Sequence, residues 1–411
     1  MTDTTTVRAD LHPGRHRGGP FRAGRWRGRW QASAGDRESM TRSADVVIIG
    51  AGLAGAATAY SLTRLSNLRV VILEQEDRPG LHASGQNAAM VRQTVTHAAL
   101  LPLVVEGARF ARRPEPGFPP VGYRACGSLI LGEGDHAARL RAAVATLKTH
   151  SVRAAWVTPD VVSAMVPFAT GARCDGAAHC RDDGVVDVAA LLEGYLRQAV
   201  SRGARLLTGR RVTAVLRRQG RVYAVDTGSE RVRTPSVVNA AGAWSREVAA
   251  LARAADVPLR STRRHLLVTP PVEGASAWPI VWDDSHGLYF RPESGGLLVS
   301  PCDEANHEPG VPAVDCGILA ALAEKAAAFM PRLGDLAVRR IWAGLRTLAP
   351  DGAFVIGEDP RLRGFHWCAG LGGHGVTASA AVGRLTAEAV LGLSESPAFS
   401  PLRFTHRLPA A

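Results

Sequence analysis

The sequence predicts an α/β protein with two domains, one built on a parallel sheet and the other on a mainly antiparallel sheet. Near the amino terminus, a β-branched run, a glycine-rich turn, a helical stretch and a second β-branched run follow one another, which favours parallel strands joined by a helix. Later in the chain, short apolar or alternating runs are separated by proline and glycine, which is typical of antiparallel strands. A length of 411 residues allows two or three domains.

The composition is that of a globular protein. Hydrophobic residues make up 46% of the chain and charged residues 21%, which excludes a disordered, collagenous or disulfide-held protein. A net charge of +12 raises nucleic acid as a partner. However, only Lys148 and Lys325 among the 49 basic residues are lysines, and the arginines are spread along the whole chain. This bias is typical of coding composition, so we predict no nucleic-acid partner.

The cysteines indicate neither a disulfide framework nor a metal site. No two of them form a C-x-x-C pair, and none lies in a histidine-rich cluster. They are Cys126, Cys174, Cys180, Cys302, Cys316 and Cys368. We therefore predict mostly buried thiols, no metal, and a reducing compartment: the cytoplasm or, at most, a peripheral position at the inner face of the membrane.

The first 43 residues differ from all that follow. They contain nine arginines, four acids and no apolar periodicity, so we expect a disordered tail. Two alternatives stay open: translation from Met40, so that residues 1–39 are not native, and an Arg-rich targeting peptide. The charge-free run 46–62 is at the short limit for a bilayer span and carries glycines at its front. We predict a buried strand and helix there, and no transmembrane segment.

The first β-branched run ends in a G-x-G-x-x-G motif. The strand covers residues 45–49, and the glycines are Gly50, Gly52 and Gly55. The first glycine permits the tight turn, the second lets the backbone approach a pyrophosphate, and the third lets helix and strand pack closely. The following helix, predicted over residues 53–65, offers the free N–H groups of its first turn to phosphates.

An acidic residue follows the second strand. Residues 69–73 form this strand, and Glu74 comes 19 residues after Gly55. A carboxylate at this place accepts hydrogen bonds from ribose hydroxyls, so the segment predicts a Rossmann-like site for a dinucleotide. Both FAD and NAD(P) satisfy the motif. Residues 78–90 are small and polar, which suits a backbone that wraps around a long cofactor.

Five further blocks occur in an order and spacing that match a known family. They are Gly85-Gln86-Asn87-Ala88-Ala89, Val237-Val238-Asn239-Ala240-Ala241-Gly242-Ala243-Trp244, Leu288-Tyr289-Phe290-Arg291-Pro292, Trp342-Ala343-Gly344-Leu345-Arg346 and Gly370-Leu371-Gly372-Gly373-His374-Gly375-Val376-Thr377. Over residues 45–391 the chain resembles the FAD-dependent D-amino acid oxidase superfamily (DAO family). It is most similar to the branch of bacterial D-arginine dehydrogenases and glycine/sarcosine oxidases.

The resemblance implies how the two domains divide the chain. A discontinuous FAD-binding domain is expected over residues 44–120, 180–255 and 340–395, and a substrate-binding domain over residues 121–179 and 256–339.

The local patterns agree with this division. A helix is predicted over residues 187–202, with Asp187 as its N-cap. The predicted strands are 204–207, 212–216, 222–225, 236–239, 264–269, 279–281, 288–291 and 296–300.

The resemblance also implies a bound FAD. Gly344 stands where monomeric sarcosine oxidases carry the cysteine that binds the flavin covalently, so non-covalent FAD is expected. The expected FAD contacts are Gly50, Gly52, Leu53, Ala54, Gly55, Glu74, Gln75, Ala83, Ser84, Gln86, Asn87, Ala88, Ala89, Val212, Ala241, Gly242, Gly344, Gly372, Gly373, His374, Gly375, Val376 and Thr377. A helix predicted over 376–391, stopped by Gly392, has an N-terminus that in the family faces the flavin N1/O2 edge and stabilises negative charge there.

Six residues are implied beside the substrate: Tyr289, Arg346, Arg264, His374, Gly373 and Met90. In the family, the arginine that matches Arg346 binds the substrate carboxylate, for which a planar guanidinium is well suited. The tyrosine that matches Tyr289 helps to bind the same group. Arg264 aligns with another substrate-side arginine, although Arg263 beside it leaves the register open. His374 either touches substrate or only caps the helix.

Three positions depart from the D-arginine dehydrogenase pattern. Met90, Val95 and Gly127 stand near the places of a histidine, a tyrosine and an acid. A pocket with these residues is less polar and lacks a counter-charge for a cationic side chain. The substrate predicted from them is a neutral or apolar D-amino acid.

The predicted reaction is FAD-dependent oxidation of the Cα–N bond to an imino acid, followed by hydrolysis to a 2-keto acid and ammonia. Oxidation of a secondary amine of the glycine/sarcosine type, or of a 2-hydroxy acid, is the alternative. A basic nucleic-acid or membrane-surface protein that acts through residues 1–43 is the rival outside this class. The exact substrate, the electron acceptor (oxygen or a quinone-like carrier) and the oligomeric state stay open.

Overall fold

The structure is a computed structural model and describes residues 42–407. The predictions for the amino-terminal tail fall outside this range, except for its last two residues, which form a short strand. Within residues 42–407, no helix combines the length and the apolar character needed to cross a membrane.

Eight helices and twenty-one strands make up the described part of the chain. The helices are α1 (Leu53–Leu65), α2 (Leu101–Arg112), α3 (Asp135–Thr149), α4 (Pro159–Met165), α5 (Val188–Ser201), α6 (Ser245–Ala252), α7 (Ile318–Phe329) and α8 (Gly375–Val390). The strands are β1 (Arg42–Ser43), β2 (Val46–Ile49), β3 (Val70–Leu73), β4 (Met90–Val91), β5 (Arg124–Ala125), β6 (Ser128–Gly132), β7 (Ala154–Val157), β8 (Gly176–Cys180), β9 (Gly184–Val185), β10 (Arg205–Leu207), β11 (Ala214–Arg218), β12 (Arg221–Asp226), β13 (Arg231–Arg233), β14 (Ser236–Asn239), β15 (Arg260–Val268), β16 (Ile280–Asp283), β17 (Leu288–Glu293), β18 (Gly296–Ser300), β19 (Arg340–Leu348), β20 (Val355–Glu358) and β21 (Phe365–Ala369).

A six-stranded sheet contains the first predicted strands. Its order is β10-β3-β2-β14-β21-β20, and all pairs are parallel except β20 with β21. Every residue of β2 and β3 is buried, because one face of the sheet packs against α1, α5 and α8 and the other against strands β11 to β13 and α6. β2, β14 and β21 lie side by side, so their carboxyl ends meet at one edge. Ligands of open α/β sheets bind at this edge.

An eight-stranded sheet faces that edge. Its order is β19-β15-β18-β17-β16-β6-β8-β7, and only β16 with β6 is a parallel pair. The predicted α/β fold, with a Rossmann-like sheet and a second, mainly antiparallel sheet, is therefore confirmed. Two smaller sheets, β1-β13-β12-β11 and β4-β9-β5, flank these two.

Several predicted ends agree with the structure to within a residue or two. Asp187 caps α5, because its carboxylate accepts a hydrogen bond from the Ala190 N–H at 3.0 Å. Gly392 has a φ of +68°, which ends α8 in the conformation that glycine adopts readily. The structure begins α8 at Gly375, one residue before the prediction, and begins β11 two residues after it.

The predicted division into domains stays a prediction. The segment 340–348 was assigned by resemblance to the FAD-binding domain, yet it forms β19, which pairs along nine residues with β15 in the antiparallel sheet. By strand pairing, we place it with the other sheet. Between the two sheets, β19 brings one end of the antiparallel sheet to the carboxyl edge of the parallel one.

Candidate active site

The glycine turn after β2 is tightly packed. Gly50 has a φ of +102°, and a Cβ atom there would lie 2.5 Å from the carbonyl oxygen of Ala240. A Cβ on Gly55 would collide with the Gly50 carbonyl, so the third glycine allows α1 to pack on the turn. The predicted reasons for these two glycines therefore hold. Gly55 lines none of the three cavities described below, so the contribution seen for it is one of packing.

Glu74 is buried and fixed at the end of β3. Its carboxylate accepts hydrogen bonds from the backbone N–H groups of Ala51 at 2.8 Å and Glu76 at 3.0 Å. Carboxylate oxygens have further lone pairs, so Glu74 can still accept bonds from a ribose. The same residue thus holds the glycine turn in place and faces the cavity beside it.

Three neighbouring cavities, of about 560, 150 and 500 Å³, lie between the two sheets. We call them the first, second and third cavity. Gly52, Ala83 and Ser84 line both the first and the second, and Arg264, Arg346 and Gly373 line both the second and the third. The cavities therefore follow one another in a single groove, as an elongated cofactor with a substrate at one end requires.

Most residues predicted to contact FAD line this groove. The first cavity is lined by Gly50, Gly52, Glu74, Gln75, Ala83, Ser84, Val212, Ala241 and Gly242. The second is lined by Gly52, Leu53, Ala54, Ala83, Ser84, Gln86, Asn87, Ala88, Ala89, Gly242, Gly344, Gly372, Gly373, Gly375 and Val376. Thr377 lines none of the three: its hydroxyl donates to the Met90 carbonyl at 3.2 Å and accepts from the Arg92 N–H at 3.1 Å.

The segment that was predicted to wrap a cofactor is held by its own side chains. Asn87 donates to the carbonyl oxygens of Ala83 and Ser84 and accepts from the Ala89 N–H at 2.8 Å. The Ser84 hydroxyl accepts from the Leu53 N–H at the start of α1, at 2.9 Å. The side chains of Ser84 and Asn87 therefore fix the backbone that lines the groove.

A buried arginine that the sequence did not single out ties the same segment to the antiparallel sheet. Arg291 on β17 donates to the Ala88 carbonyl at 2.5 Å and pairs with Glu293 at 2.7 Å. This bond fixes the position of the cofactor-facing backbone relative to β17.

The second cavity has the features that a flavin ring requires. A Cβ on Gly344 would lie 2.6 Å from the Gln86 carbonyl oxygen, so a side chain there would invade the groove. Oε1 of Gln86 is buried and without a hydrogen-bond partner, which leaves a polar group for a ligand. Gly375 and Val376 bring the first turn of α8 to this cavity, and its N-cap His374 forms no side-chain capping bond. The N–H groups of this turn can therefore stabilise an anionic ligand edge.

Arg346 occupies the junction of the second and third cavities. No carboxylate of residues 42–407 lies within ion-pair distance of its guanidinium. Burial and the neighbouring Arg264 lower the pKa of Arg346, but an arginine still stays charged. A Cβ atom on Gly373 would lie 3.1 Å from Nη1 of Arg346. The glycine at position 373 therefore leaves room for the guanidinium. The geometry suits binding of an anionic group between the two cavities.

Arg264 lies in the same junction but is already bound. It pairs with Glu304 at 2.7 Å and donates to the Asp303 carbonyl at 2.7 Å, which leaves only Nη1 without a partner. Of the two neighbouring arginines, Arg264 lines these cavities, whereas Arg263 pairs with Asp315 outside them.

Tyr289 lies behind the groove, not in its lining. Its side chain is fully buried and stacks on Trp282 with ring centroids 4.6 Å apart. Of these two residues, Trp282 lines the third cavity and Tyr289 does not. Burial raises the pKa of Tyr289, so its hydroxyl stays protonated. The two rings are opposite each other in the β16–β17 pair.

Arg92 and His374 form a polar wall of the third cavity. The Nη2 atom of Arg92 lies 3.4 Å from Nε2 of His374, and its Nη1 donates to the Thr94 carbonyl at 2.6 Å. Burial, Arg92 and Arg346 lower the pKa of His374 to about 3, so the ring is neutral and its Nε2 accepts from Arg92. Sequence reasoning missed Arg92, which nothing in the sequence distinguishes from the many other arginines.

Met90, Val95 and Gly127, the three positions that suggested an apolar pocket, do not describe the lining of the third cavity as a whole. Met90 lines the second cavity, Val95 lines the third, and Gly127 lines neither. The third cavity also contains charged residues that the sequence left unassigned: Arg92, Asp284 and Glu304. The third cavity is therefore more charged than these three positions alone suggest, because distant segments supply the charges; the neutral or apolar substrate stays a prediction.

A family model described as FAD dependent oxidoreductase matches residues 45–389 of the chain. Among curated relatives, mouse mitochondrial sarcosine dehydrogenase is 26% identical, with 80% of this chain and 38% of that protein covered. The 4-methylaminobutanoate oxidase (formaldehyde-forming) of Paenarthrobacter nicotinovorans is also 26% identical, over 86% of this chain and 44% of that protein. This chain thus spans about two fifths of the length of these two relatives.

Solved structures share the fold. L-Proline dehydrogenase from P. horikoshii superposes with a TM-score of 0.79, at 21% identity over 89% of this chain and 99% of that one. Glycine oxidase from Geobacillus kaustophilus gives a TM-score of 0.72, at 24% identity over 87% and 96% of the two chains. With the family match over most of its length, this chain is a member of the FAD dependent oxidoreductase (DAO) family, and FAD is its cofactor.

Proposed function

We propose that this enzyme oxidises the Cα–N bond of an amine that carries a carboxylate. A D-amino acid or a secondary amine of the glycine and sarcosine type has these two groups. The observation that carries the proposal is Arg346, a guanidinium for which residues 42–407 supply no acid partner and which lies where the second cavity meets the third. The names of the relatives support this class, because sarcosine, 4-methylaminobutanoate, glycine and proline all contain an amine and a carboxylate.

Arg346 would bind the carboxylate with two parallel N–H···O bonds, which fix the substrate in both position and rotation. The carbon that carries the amine would then face the second cavity. When bound, FAD supplies the acceptor for one hydride, that is, for one proton and two electrons. Orientation of this kind lowers the barrier by several kcal/mol. Glu304 keeps Arg264 occupied at 2.7 Å, so Arg346 is the primary carboxylate ligand of this proposal.

The amine must be uncharged when the Cα–H bond breaks. A His374 ring with a pKa of about 3 is a weak base, and Tyr289 keeps its proton because burial raises its pKa. We therefore assign the proton of the ammonium group to solvent. The Cα–H leaves as a hydride, and an iminium ion remains, which gives the imine when it loses a proton to solvent. Water then converts the imine to a 2-keto acid and ammonia, or the iminium ion of a secondary amine to a carbonyl compound and a protonated primary amine.

The remaining predicted residues receive supporting roles. The first turn of α8, with Gly375 and Val376 in the lining, would stabilise negative charge on the ring edge. Tyr289 would keep Trp282 in place behind the substrate. FAD would be held without a covalent bond at Gly344, which has no side-chain nucleophile.

Anaerobic reduction of the flavin tests the proposal. The purified protein is mixed without air with D-alanine, D-proline, L-proline, sarcosine and, as the alternative class, D- and L-lactate. Loss of the flavin absorbance band with at least one amine, and with neither lactate, supports the proposal. Reduction by lactate alone would replace it with hydroxy-acid oxidation. Reoxidation by air, compared with reoxidation by a soluble quinone, then assigns the electron acceptor.

A further inference from the structure

Two of the arginines that line the third cavity have no carboxylate within ion-pair distance in the described part of the chain. Three arginines and two acids line it. Glu304 pairs with Arg264, and Asp284 accepts from, or pairs with, His136 at 3.0 Å. Arg92 and Arg346 are left, and neither lies within 4 Å of a carboxylate oxygen in the described part of the chain.

The two guanidiniums lie against consecutive residues. Nη2 of Arg92 lies 3.4 Å from Nε2 of His374. Nη1 of Arg346 lies 3.1 Å from the position that a Cβ atom on Gly373 would take. Arg92 is also fixed from two other sides, since it stacks on Trp282 with its carbon 4.4 Å from the ring centroid and donates to a backbone carbonyl. Both charges therefore border one volume of about 500 Å³.

A guanidinium with reduced access to water and no counter-charge destabilises the protein unless an anion compensates it. Asp284 and Asp183 are the acids whose charges act most on Arg92, but both lie beyond ion-pair distance. Asp183 is fully buried and already accepts from Ser128 at 2.6 Å and from Gln93 at 3.0 Å. Burial raises the pKa of Asp183, which further reduces its value as a counter-ion. Within residues 42–407, Arg92 therefore lacks a carboxylate at ion-pair distance, and a ligand in the third cavity can supply one.

We propose that Arg92 binds a second carboxylate, so that the substrate is an amine with two carboxylates: an acidic amino acid or an N-carboxyalkyl amino acid. This inference rests on the proposed function, in which Arg346 binds the first carboxylate and the Cα–N bond is oxidised. It adds no chemical step, because Arg92 only binds and orients. It assigns the specificity of the third cavity to a residue outside the blocks that define the family resemblance.

The first test compares substrates that differ in the second carboxylate only. Iminodiacetate is set against N-ethylglycine, and glutamate against norvaline, each amino acid as both enantiomers, with anaerobic flavin reduction as the readout. We expect at least one diacid to have a kcat/KM about tenfold or more above its monoacid partner, because only the diacid can form a charge-assisted pair with Arg92. Equal or better rates with both monoacids would overturn the inference and leave the proposed function intact. No reduction by any amine would instead refute the proposed function.

The second test removes the guanidinium. Arg92→Met should lower the diacid-to-monoacid ratio of kcat/KM about tenfold, and Arg92→Lys should keep part of it. Arg141→Met is the matched control. The guanidinium carbon of Arg141 also lies over a tryptophan, 4.1 Å from the centroid of the Trp156 ring, but Arg141 lines none of the three cavities. The control should keep the wild-type ratio. An unchanged ratio in both Arg92 variants would overturn the inference.

Binding without turnover gives a third readout that does not depend on activity. Glutarate and butyrate contain no amine, so they only bind, and the shift of the flavin spectrum reports their Kd. Glutarate should bind about tenfold more tightly than butyrate to the wild-type protein, and the difference should shrink in Arg92→Met. Equal binding of the two acids by the wild type would contradict the second carboxylate site.

Discussion

Arg346→Met separates a ligand-binding arginine from a structural one. Methionine fills much of the same volume with an apolar chain and removes the charge. Because Arg346 has no acid partner in the described part of the chain and lies close to Arg264, its removal breaks no ion pair and relieves a repulsion. We therefore expect the melting temperature of the flavin-loaded variant to stay the same or rise, while turnover is lost.

The size of the loss follows from the position of the guanidinium. Removing one partner of a partly desolvated, hydrogen-bonded charge pair costs about 2 to 5 kcal/mol, or roughly 30- to 5,000-fold in kcat/KM. Part of this loss should appear in kcat, since an unanchored substrate also loses its orientation toward the second cavity. Arg346→Lys should recover only a fraction of the activity, because an ammonium cannot form the two parallel bonds.

The assay is anaerobic flavin reduction over a range of substrate concentrations, with thermal unfolding of the same samples. Arg263→Met is the control, since Arg263 is on the same sheet but pairs with Asp315 away from the groove. A variant at position 346 that keeps wild-type kcat/KM would refute the proposed role. A large fall in melting temperature together with lost activity would identify Arg346 as a structural residue.

Three further predictions concern the cofactor and pH. Gly344→Ala should lower the FAD content of the purified protein, because its Cβ would lie 2.6 Å from the Gln86 carbonyl oxygen. Gly310→Ala is the control for folding, since its Cβ would meet no atom closer than 4.0 Å and its φ is not positive. Acid precipitation should release all of the FAD into the supernatant, whereas flavin that stays with the pellet would show a covalent bond. Burial, Arg92 and Arg346 lower the pKa of His374 to about 3 in the folded protein. Below about pH 6.5 the unfolded chain therefore binds one more proton than the folded chain. The free energy of unfolding should fall by up to about 1.4 kcal/mol per pH unit from there toward pH 3. Denaturant titrations of wild type and His374→Gln should differ in this pH range and coincide above it.

The glycine turn and its acid could be predicted because their contacts are local. β2, Gly50, α1 and Glu74 follow one another in the sequence, and the chemistry of each position depends mainly on its neighbours in that unit. The N-cap of α5 is local in the same sense. Such features depend on backbone geometry that a short stretch of sequence largely determines.

The third cavity could not be predicted in the same way. Its lining comes from segments near residues 92–100, 282–287, 302–304 and 346–352, which only the two sheets bring together. Whether an arginine is a partner in an ion pair or free to bind a ligand depends on the acids near it in space. Arg264 and Arg92 look alike in the sequence, but only Arg264 has a glutamate at 2.7 Å.

Tyr289 shows a related limit. Resemblance gives the position on β17, but the cross-strand pairing with Trp282 decides which ring faces the cavity. The tryptophan lines the cavity and the tyrosine lies behind it. A side chain's place in the strand can therefore be predicted more readily than its exposure.

The most direct test of the whole account is the absorbance spectrum of the purified protein, with the flavin quantified per chain. The account predicts a yellow protein with an isoalloxazine spectrum and, after reconstitution, about one FAD per chain, since the cavities form a single groove. A colourless protein that takes up no FAD on reconstitution, although it is folded by circular dichroism, would contradict the central claim.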